Sequence, residues 1–204
     1  MKIQFQNILI RVLDILGSIL GLIVSAIPVI IIAIRIKLED KGPILFKQNR
    51  VGKDGSIFLM YKIRSMVIEA EELRDDLLEK SDVDGMFKMR EDPRVTRVGE
   101  FIRKHSLDEL PQFWNVLKGD MSLVGPRPAL IEEVESYSDH AKLRLCVKPG
   151  MTGLWQVSGR SDLPFEAMID LDLEYIENRK VYNNIIIILK TVVAIFPTEK
   201  NGAY

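Results

Sequence analysis

The chain has one cysteine, Cys146, and two histidines, His105 and His140, among its 204 residues. A single thiol cannot close an internal disulfide, and so few thiols and imidazoles exclude a zinc centre built on Cys or His. A reducing compartment is the natural expectation. No charge of one sign dominates: Lys+Arg total 28 and Asp+Glu 29, for a net charge of -1. That balance argues against a nucleic-acid partner, which calls for a large basic excess. Neither G-x-G-x-x-G nor G-x-x-x-x-G-K-[ST] occurs, so both standard nucleotide-phosphate loops are missing. Repeats and low-complexity tracts are absent as well. What is present is 47% hydrophobic and 28% charged residues, which excludes a long disordered chain. The length suits one domain, or one domain with an attachment.

The apolar excess lies near the N-terminus. Ile15–Ile34 carries no charge, and twenty helical residues reach about 30 Å, the thickness of a hydrocarbon core. The run is too long for a signal peptide, and no small-residue cleavage site follows it. A plain spanning helix is the simplest reading. Pro28 weighs against it, because proline removes a backbone bond and tilts the axis, and Ser25 one turn earlier can satisfy the freed groups. Both flanks are basic: Lys2 and Arg11 before, and Arg35, Lys37, Lys41, Lys47, Arg50 and Lys53 after. Basic flanks mark the cytoplasmic side. A re-entrant helix broken at Ser25–Pro28 keeps both flanks there, and each arm alone is too short to span. A second apolar stretch, Ile185–Phe196, is interrupted by Lys190 and reads as a buried or interfacial helix. Pro197–Tyr204 reads as a loose tail.

Between these segments the spacing predicts a hairpin over Ile44–Met66 around Gly52-Lys53-Asp54-Gly55. An amphipathic helix with a solvated charged face is expected at Ile68–Lys80, followed by a loop over Ser81–Met89. Helices are predicted at Val98–Lys104, Ser106–Leu117, Ile131–Leu145 and Pro164–Asn178. Gly119–Pro128 reads as a loop, Lys148-Pro149-Gly150 as a type II turn, and Leu154–Val157 as a short strand. Too few β–α units alternate for a Rossmann fold.

The sharpest cluster is Arg103-Lys104-His105-Ser106-Leu107-Asp108-Glu109-Leu110-Pro111. Its plainer interpretation is a capping box, Ser106 with Glu109, at a helix start. The chemical interpretation is that adjacent carboxylates divide labour, one holding Mg²⁺ and one attacking phosphorus. Such transfer needs fixed cations, and Lys62, Arg64, Arg94, Arg97, Arg103, Arg127 and Arg160 are candidates. Lys62 and Arg64 share one face of a strand by alternation, or simply form a polar sheet face. Asp92-Pro93-Arg94 reads equally as an ordinary turn. Two prolines stiffen Gly125-Pro126-Arg127-Pro128, where the guanidinium is aimed at a diphosphate or merely solvated. Trp114 and Trp155 are expected to pack.

The blocks KGPILFKQNRVGKDG, YKIRSM, DPRVTRVGEFIRKHSLDELPQFWNVLKGDMSLVGPRP, VKPGMTGLWQVSGRSDL and the terminal NGAY resemble the bacterial sugar transferases, the monotopic phosphoglycosyl transferases. The likeness runs from about Arg11 to Tyr204, in the family's order. Family members often have Ser-Pro adjacent at the helix break, whereas here Ser25 and Pro28 are separated. The resemblance implies a mainly α protein with a small β-hairpin or sheet. It would be monotopic, with a re-entrant membrane helix over 1–40 and a cytosolic or interfacial catalytic domain over 41–204 carrying interfacial amphipathic helices. It implies a minimal catalytic unit on the cytoplasmic face of a bacterial inner membrane, compatible with a homodimer.

The implied reaction moves a hexose 1-phosphate from a UDP-sugar, glucose or galactose favoured, to undecaprenyl phosphate, releasing UMP. This would be the first membrane step in assembly of a polysaccharide or other glycan. By the same resemblance Asp108 is the nucleophile, Glu109 a Mg²⁺ partner beside it, and Arg103 a phosphate clamp. Lys62, Arg127 and Arg160 match positions that meet the diphosphosugar, and Arg64 is grouped with them as a substrate-binding candidate. A non-catalytic membrane scaffold and a UDP-sugar pyrophosphatase are the competing readings.

Overall fold

The computed structural model describes residues 2–73, 92–159 and 163–195. The apolar N-terminal sequence forms one helix, α1 (Lys2–Glu39), which has Pro28 inside it. At 1.5 Å per residue its 38 residues extend about 57 Å. It is long and apolar enough to cross a membrane. The chain stays helical through Pro28, so the expected break at Ser25–Pro28 does not interrupt it. Pro28 withholds the amide that would bond the Val24 carbonyl, while Ser25 Oγ donates to the Leu22 carbonyl at 3.3 Å.

One stripe of α1 is buried: Ile10, Asp14, Ser18, Ser25, Ile32 and Ile36. Their spacing follows the helical period. The opposite side is an exposed apolar face, with Ile23, Val24 and Ile27 each at least two-thirds exposed. Gly21 lets α1 approach closely, since a Cβ there would sit 2.5 Å from the Phe113 ring.

The hairpin is β1 (Leu45–Val51) and β2 (Ile57–Ile63), antiparallel, with Phe46 opposite Lys62 and Arg50 opposite Phe58. Of the expected helix at Ile68–Lys80, residues Ile68–Ala70 form a single 3-10 turn; 74–80 and the Ser81–Met89 loop lie outside the described residues. α2 (Arg97–Lys104) begins at Thr96, whose side chain accepts from the Gly99 amide at 3.0 Å.

The helix expected over Ser106–Leu117 is divided. A 3-10 turn covers Leu107–Glu109 and α3 covers Gln112–Lys118. Pro111 has no amide to bond the Leu107 carbonyl, so a continuous helix cannot pass. α3 ends at Gly119, φ 97°, whose amide bonds the Asn115 and Val116 carbonyls.

The loop expected at Gly119–Pro128 contains a strand, β3 (Ser122–Val124). It pairs in parallel with β4 (Gly150–Thr152), so Gly150 opens a strand and the type II turn is not formed. Gly125 and Gly150 nearly touch, and a Cβ on Gly150 would lie 2.1 Å from the Gly125 amide nitrogen. Ile131–Leu145 is not one helix but α4 (Ile131–Glu135), α5 (Asp139–Lys142) and a 3-10 turn, because Ser138 caps a fresh start at the Ala141 amide. Leu154–Val157 is not a strand, and Trp155–Val157 is a 3-10 turn. α6 (Phe165–Glu177) and α7 (Val181–Ile195) complete the described chain and match expectation within a few residues.

The core has three parts. Met60, Val116, Met121, Val124, Tyr175 and Ile187 join hairpin, α3, β3 and the C-terminal helices. Ile32 and Ile36 of α1 meet Ile63 and Ile102, with Val29, Val98 and Leu107 around them. Ala129, Tyr137, Ala141 and Ile169 form the third. Trp155 is buried as expected, whereas Trp114 is half exposed.

Candidate active site

Ser106 fixes the start of the site. Its φ of 54° is left-handed, a conformation costly for a residue with a side chain. Its side chain makes no capping hydrogen bond, so the capping-box interpretation fails. Glu109 instead reaches across to the hairpin, where Lys62 Nζ donates to Glu109 Oε1 at 2.8 Å and lies 3.7 Å from Asp108 Oδ2.

Asn115 sets this juxtaposition. Fully buried on α3, it accepts from the Tyr61 amide at 3.1 Å and donates to the Leu59 carbonyl at 2.8 Å. It thereby pairs with the free edge of β2 as a strand would, and holds the Asp108–Glu109 turn opposite Lys62. The turn is also tied to α1, since Leu107 packs against the Ile32–Ile36 cluster.

The two carboxylates have different surroundings. The Asp108 side chain is 12% exposed and that of Glu109 36%. Burial lifts the Asp108 pKa above the usual carboxylate value, with Lys62 and Arg103 opposing and Glu109 reinforcing. Burial also works to raise Glu109, but the Lys62 ammonium, its hydrogen bond, Arg127 and Arg50 outweigh it and hold the group below the usual range. Burial alone would lower Lys62, yet the two carboxylates keep it above its ordinary value. Adjacent acids with divergent affinities for protons are a pattern of reactive sites.

A cavity of about 200 Å³ opens beside this cluster, lined by Arg50, Lys62, Glu109, Gln112, Arg127 and Trp155 among others. Asp108 does not line it, but lies 3.7 Å from Lys62, which does. Arg127 enters from the loop after β3, with Nη1 3.1 Å from Glu133 Oε2, and Glu133 also accepts from the Leu130 amide at 2.8 Å. Behind the loop, Arg144 donates to the Arg127 carbonyl at 3.5 Å and to Asp172 Oδ2 at 2.5 Å. Burial raises the Asp172 pKa to about 6 even beside Arg144. Arg103 Nη1 is buried with no hydrogen-bond partner among the described residues, and its charge acts on Asp108.

Thus Asp108, Glu109, Lys62, Arg103 and Arg127 converge. Arg64 does not join them. It lies just past the end of β2 and donates to both oxygens of Asp40 and to the Pro43 and Met66 carbonyls, which closes the segment after α1. Arg94 similarly clamps Asp92 at 2.6 Å. Arg160 lies outside the described residues.

Arg50, Gln112, Asn115 and Glu133 escaped the sequence reading. For Arg50 a signal existed, since the hairpin register places it on the Lys62 side of the sheet. For Asn115 none did, because its role depends on a strand edge distant in sequence.

Among the described residues no group of three or more His, Cys, Asp or Glu could hold a metal. Asp108 and Glu109 do provide two neighbouring hard oxygen donors. That set fits Mg²⁺, which is commonly held by one or two carboxylates together with substrate phosphates.

A family model described as bacterial sugar transferase matches residues 5–198. The chain is 50% identical over 184 residues to the galactosyl transferase CpsE of Streptococcus agalactiae, covering 89% of this chain and 41% of that protein. It is 45% identical over 199 residues to the undecaprenyl-phosphate galactose phosphotransferase of Salmonella typhimurium, covering 95% and 41% respectively. With the exopolysaccharide production protein ExoY of Rhizobium meliloti it shares 34% identity over 190 residues, 91% of this chain and 84% of that one. The chain therefore spans about two-fifths of the length of the first two relatives.

Proposed function

The chain belongs to the bacterial sugar transferase family, and on that footing we propose that it moves a hexose 1-phosphate from a UDP-sugar to undecaprenyl phosphate through a covalent adduct on Asp108. The observation that carries this reading is the Asp108–Glu109 pair held by Lys62 at the edge of a cationic cavity, one residue from the contact of Leu107 with α1.

Asp108 attacks the β-phosphorus as a carboxylate. An oxygen–phosphorus bond forms on Asp108, the bond from that phosphorus to the bridging oxygen breaks, and UMP departs with the electron pair. A phosphate oxygen of undecaprenyl phosphate then attacks the same phosphorus and frees the carboxylate, giving the lipid diphosphate sugar. No step requires a general base; of the two histidines, His105 bonds the Phe101 carbonyl and His140 faces Asp170. Lys62, Arg103 and Arg127 offset the phosphate charge. Asp108 and Glu109 would hold Mg²⁺, which when bound neutralises diphosphate oxygens. Galactose is favoured over other hexoses by the names of the relatives.

The packing of α1 supports a monotopic attachment on the cytoplasmic face of the bacterial inner membrane. Arg11 donates to the Val116 and Leu117 carbonyls at 2.7 and 2.8 Å, Asp14 accepts from the Leu123 amide at 2.8 Å, and Glu39 accepts from the Arg97 amide at 3.1 Å. The body thus grips α1 from Arg11 to Glu39. A helix held in this way cannot traverse about 30 Å of hydrocarbon while its body stays in water. The exposed apolar face of α1 then meets lipid, with the basic residues at both ends on one side. The outer face of α7, with Tyr182, Leu189 and Val193 exposed, extends that surface.

The test is Mg²⁺-dependent UMP release from UDP-galactose and UDP-glucose by the purified chain. Release with transfer to undecaprenyl phosphate supports the reading. No turnover leaves a scaffold, and breakdown of the nucleotide without label on protein or lipid identifies a pyrophosphatase.

A further inference from the structure

The transfer reading assigns no residue to the departing nucleotide phosphate in particular. The hairpin supplies one. In the antiparallel ladder Phe46 lies opposite Lys62, Gln48 opposite Met60, and Arg50 opposite Phe58. Gln48 and Arg50 therefore share the face of Lys62. Lys62 and Arg50 enter the cavity from positions four steps apart along the ladder, about 13 Å. Arg50 is only 9% exposed. Its Nε and Nη2 donate to Gln48 Oε1 at 3.1 and 2.6 Å, and Nη1 donates to the Pro128 carbonyl at 3.0 Å. These bonds fix the plane of the guanidinium and tie it to the loop that carries Arg127.

The charges are ordered. Lys62 and Arg103 are the principal cations around Asp108, whereas Lys62, Arg127 and Arg50 surround Glu109. Lys62 touches both carboxylates, at 3.7 and 2.8 Å, and lines the same cavity as Arg50. In phosphoryl transfer the attacking and leaving oxygens lie roughly in line across phosphorus. With the β-phosphorus in front of Asp108 and beside Lys62, the bridging oxygen and the α-phosphate lie on the side away from Asp108, in the cavity that Arg50 lines.

We infer that Arg50, held by Gln48 and the Pro128 carbonyl, binds the α-phosphate of the donor and takes up the charge that develops there as the nucleoside monophosphate leaves, an assignment that rests on the transfer reading above. The bond that breaks joins the β-phosphorus to the bridging oxygen. Its electron pair stays on that oxygen, now part of UMP, and no proton moves.

The test uses the full chain in nanodiscs with UMP itself as the probe. Arg50→Gln weakens UMP binding at least about tenfold, the scale of one charge-assisted contact. It slows UMP release from UDP-galactose by about a hundredfold. It also slows transfer from the preformed adduct, because undecaprenyl phosphate attacks in line from the position that UMP vacates; rescue by guanidinium separates these losses from a merely structural defect. Gln48→Ala keeps the charge but frees its fork, and weakens UMP binding in the same direction by a smaller factor. Added guanidinium partly restores UMP release in Arg50→Ala. UMP affinity unchanged in Arg50→Gln and Gln48→Ala overturns the assignment, as does failure of guanidinium to restore any UMP release in Arg50→Ala. Should wild-type protein bind UMP through Arg50 but never acquire label, the covalent reading fails and the phosphate contact stands.

Discussion

Lys62 Nζ donates to Glu109 Oε1 at 2.8 Å and stands 3.7 Å from Asp108 Oδ2. One ammonium therefore serves two adjacent carboxylates, and it treats them unequally. Glu109 receives the hydrogen bond and Asp108 only the field. This asymmetry, with the deeper burial of Asp108, makes Asp108 the more basic oxygen of the pair and suits it to attack phosphorus.

Removing Lys62 should move the pH profile in a defined direction. The first step needs Asp108 ionised, so its rate climbs as pH rises through the Asp108 pKa, which burial has already raised. Lys62 opposes that rise. In Lys62→Met the acid limb of UMP release shifts to higher pH, and the plateau falls by about a hundredfold. An acid limb at the wild-type position would separate Lys62 from Asp108.

Gly150→Ala tests the seam that carries Arg127. The added methyl meets the backbone of Gly125 and Thr152 at 2.1 and 2.5 Å, with no flexible side chain to yield. A loss of about 3 kcal/mol in stability is expected, seen as a lower melting temperature with weakened UDP-sugar binding. Wild-type behaviour in both would show that β3 and β4 tolerate separation.

Asp172 provides a stability prediction with a sign. Its pKa of about 6 lies above the ordinary 3.8. The folded state holds this proton more tightly, so the contribution is fully present below pH about 4 and is lost as pH rises toward 6. Over that window melting temperature in the wild type declines from this group, by an amount equivalent to about 3 kcal/mol. Asp172→Asn flattens the decline and is no less stable than wild type at pH 8. A clear drop at pH 8 would mean that the pair with Arg144 outweighs its burial.

Several of these features were legible in the sequence and others were not. The hairpin, α2, α6 and α7 follow from turn residues and apolar periodicity, and the acidic pair with its basic company was visible as a cluster. Tertiary partners decided the rest. Gly150 looks like a turn glycine, but β3 makes it a strand. Lys62 and Arg64 alternate as one face, yet β2 stops at Ile63 and Asp40 captures Arg64. Ser106 and Glu109 satisfy a capping pattern on paper, and the lysine that claims Glu109 is 47 positions away. Pro28 looks like a helix break, but the body grips α1 on both sides of it, at Ile10–Ser25 and Val29–Ile36.

Membrane attachment has its own test. With Cys146→Ser as background, single cysteines replacing Gln4 and Lys37 should both react with an impermeant maleimide from the cytoplasmic side of inverted vesicles, and neither from the periplasmic side. Labelling from opposite sides would establish a spanning helix.

The most direct measurement is a single turnover with UDP-galactose carrying ³²P at the β-position, without acceptor. Label bound to the wild-type polypeptide, chased off by undecaprenyl phosphate and absent from Asp108→Asn, is the predicted result. UMP release with no label ever on the protein, or full labelling of Asp108→Asn, would contradict it.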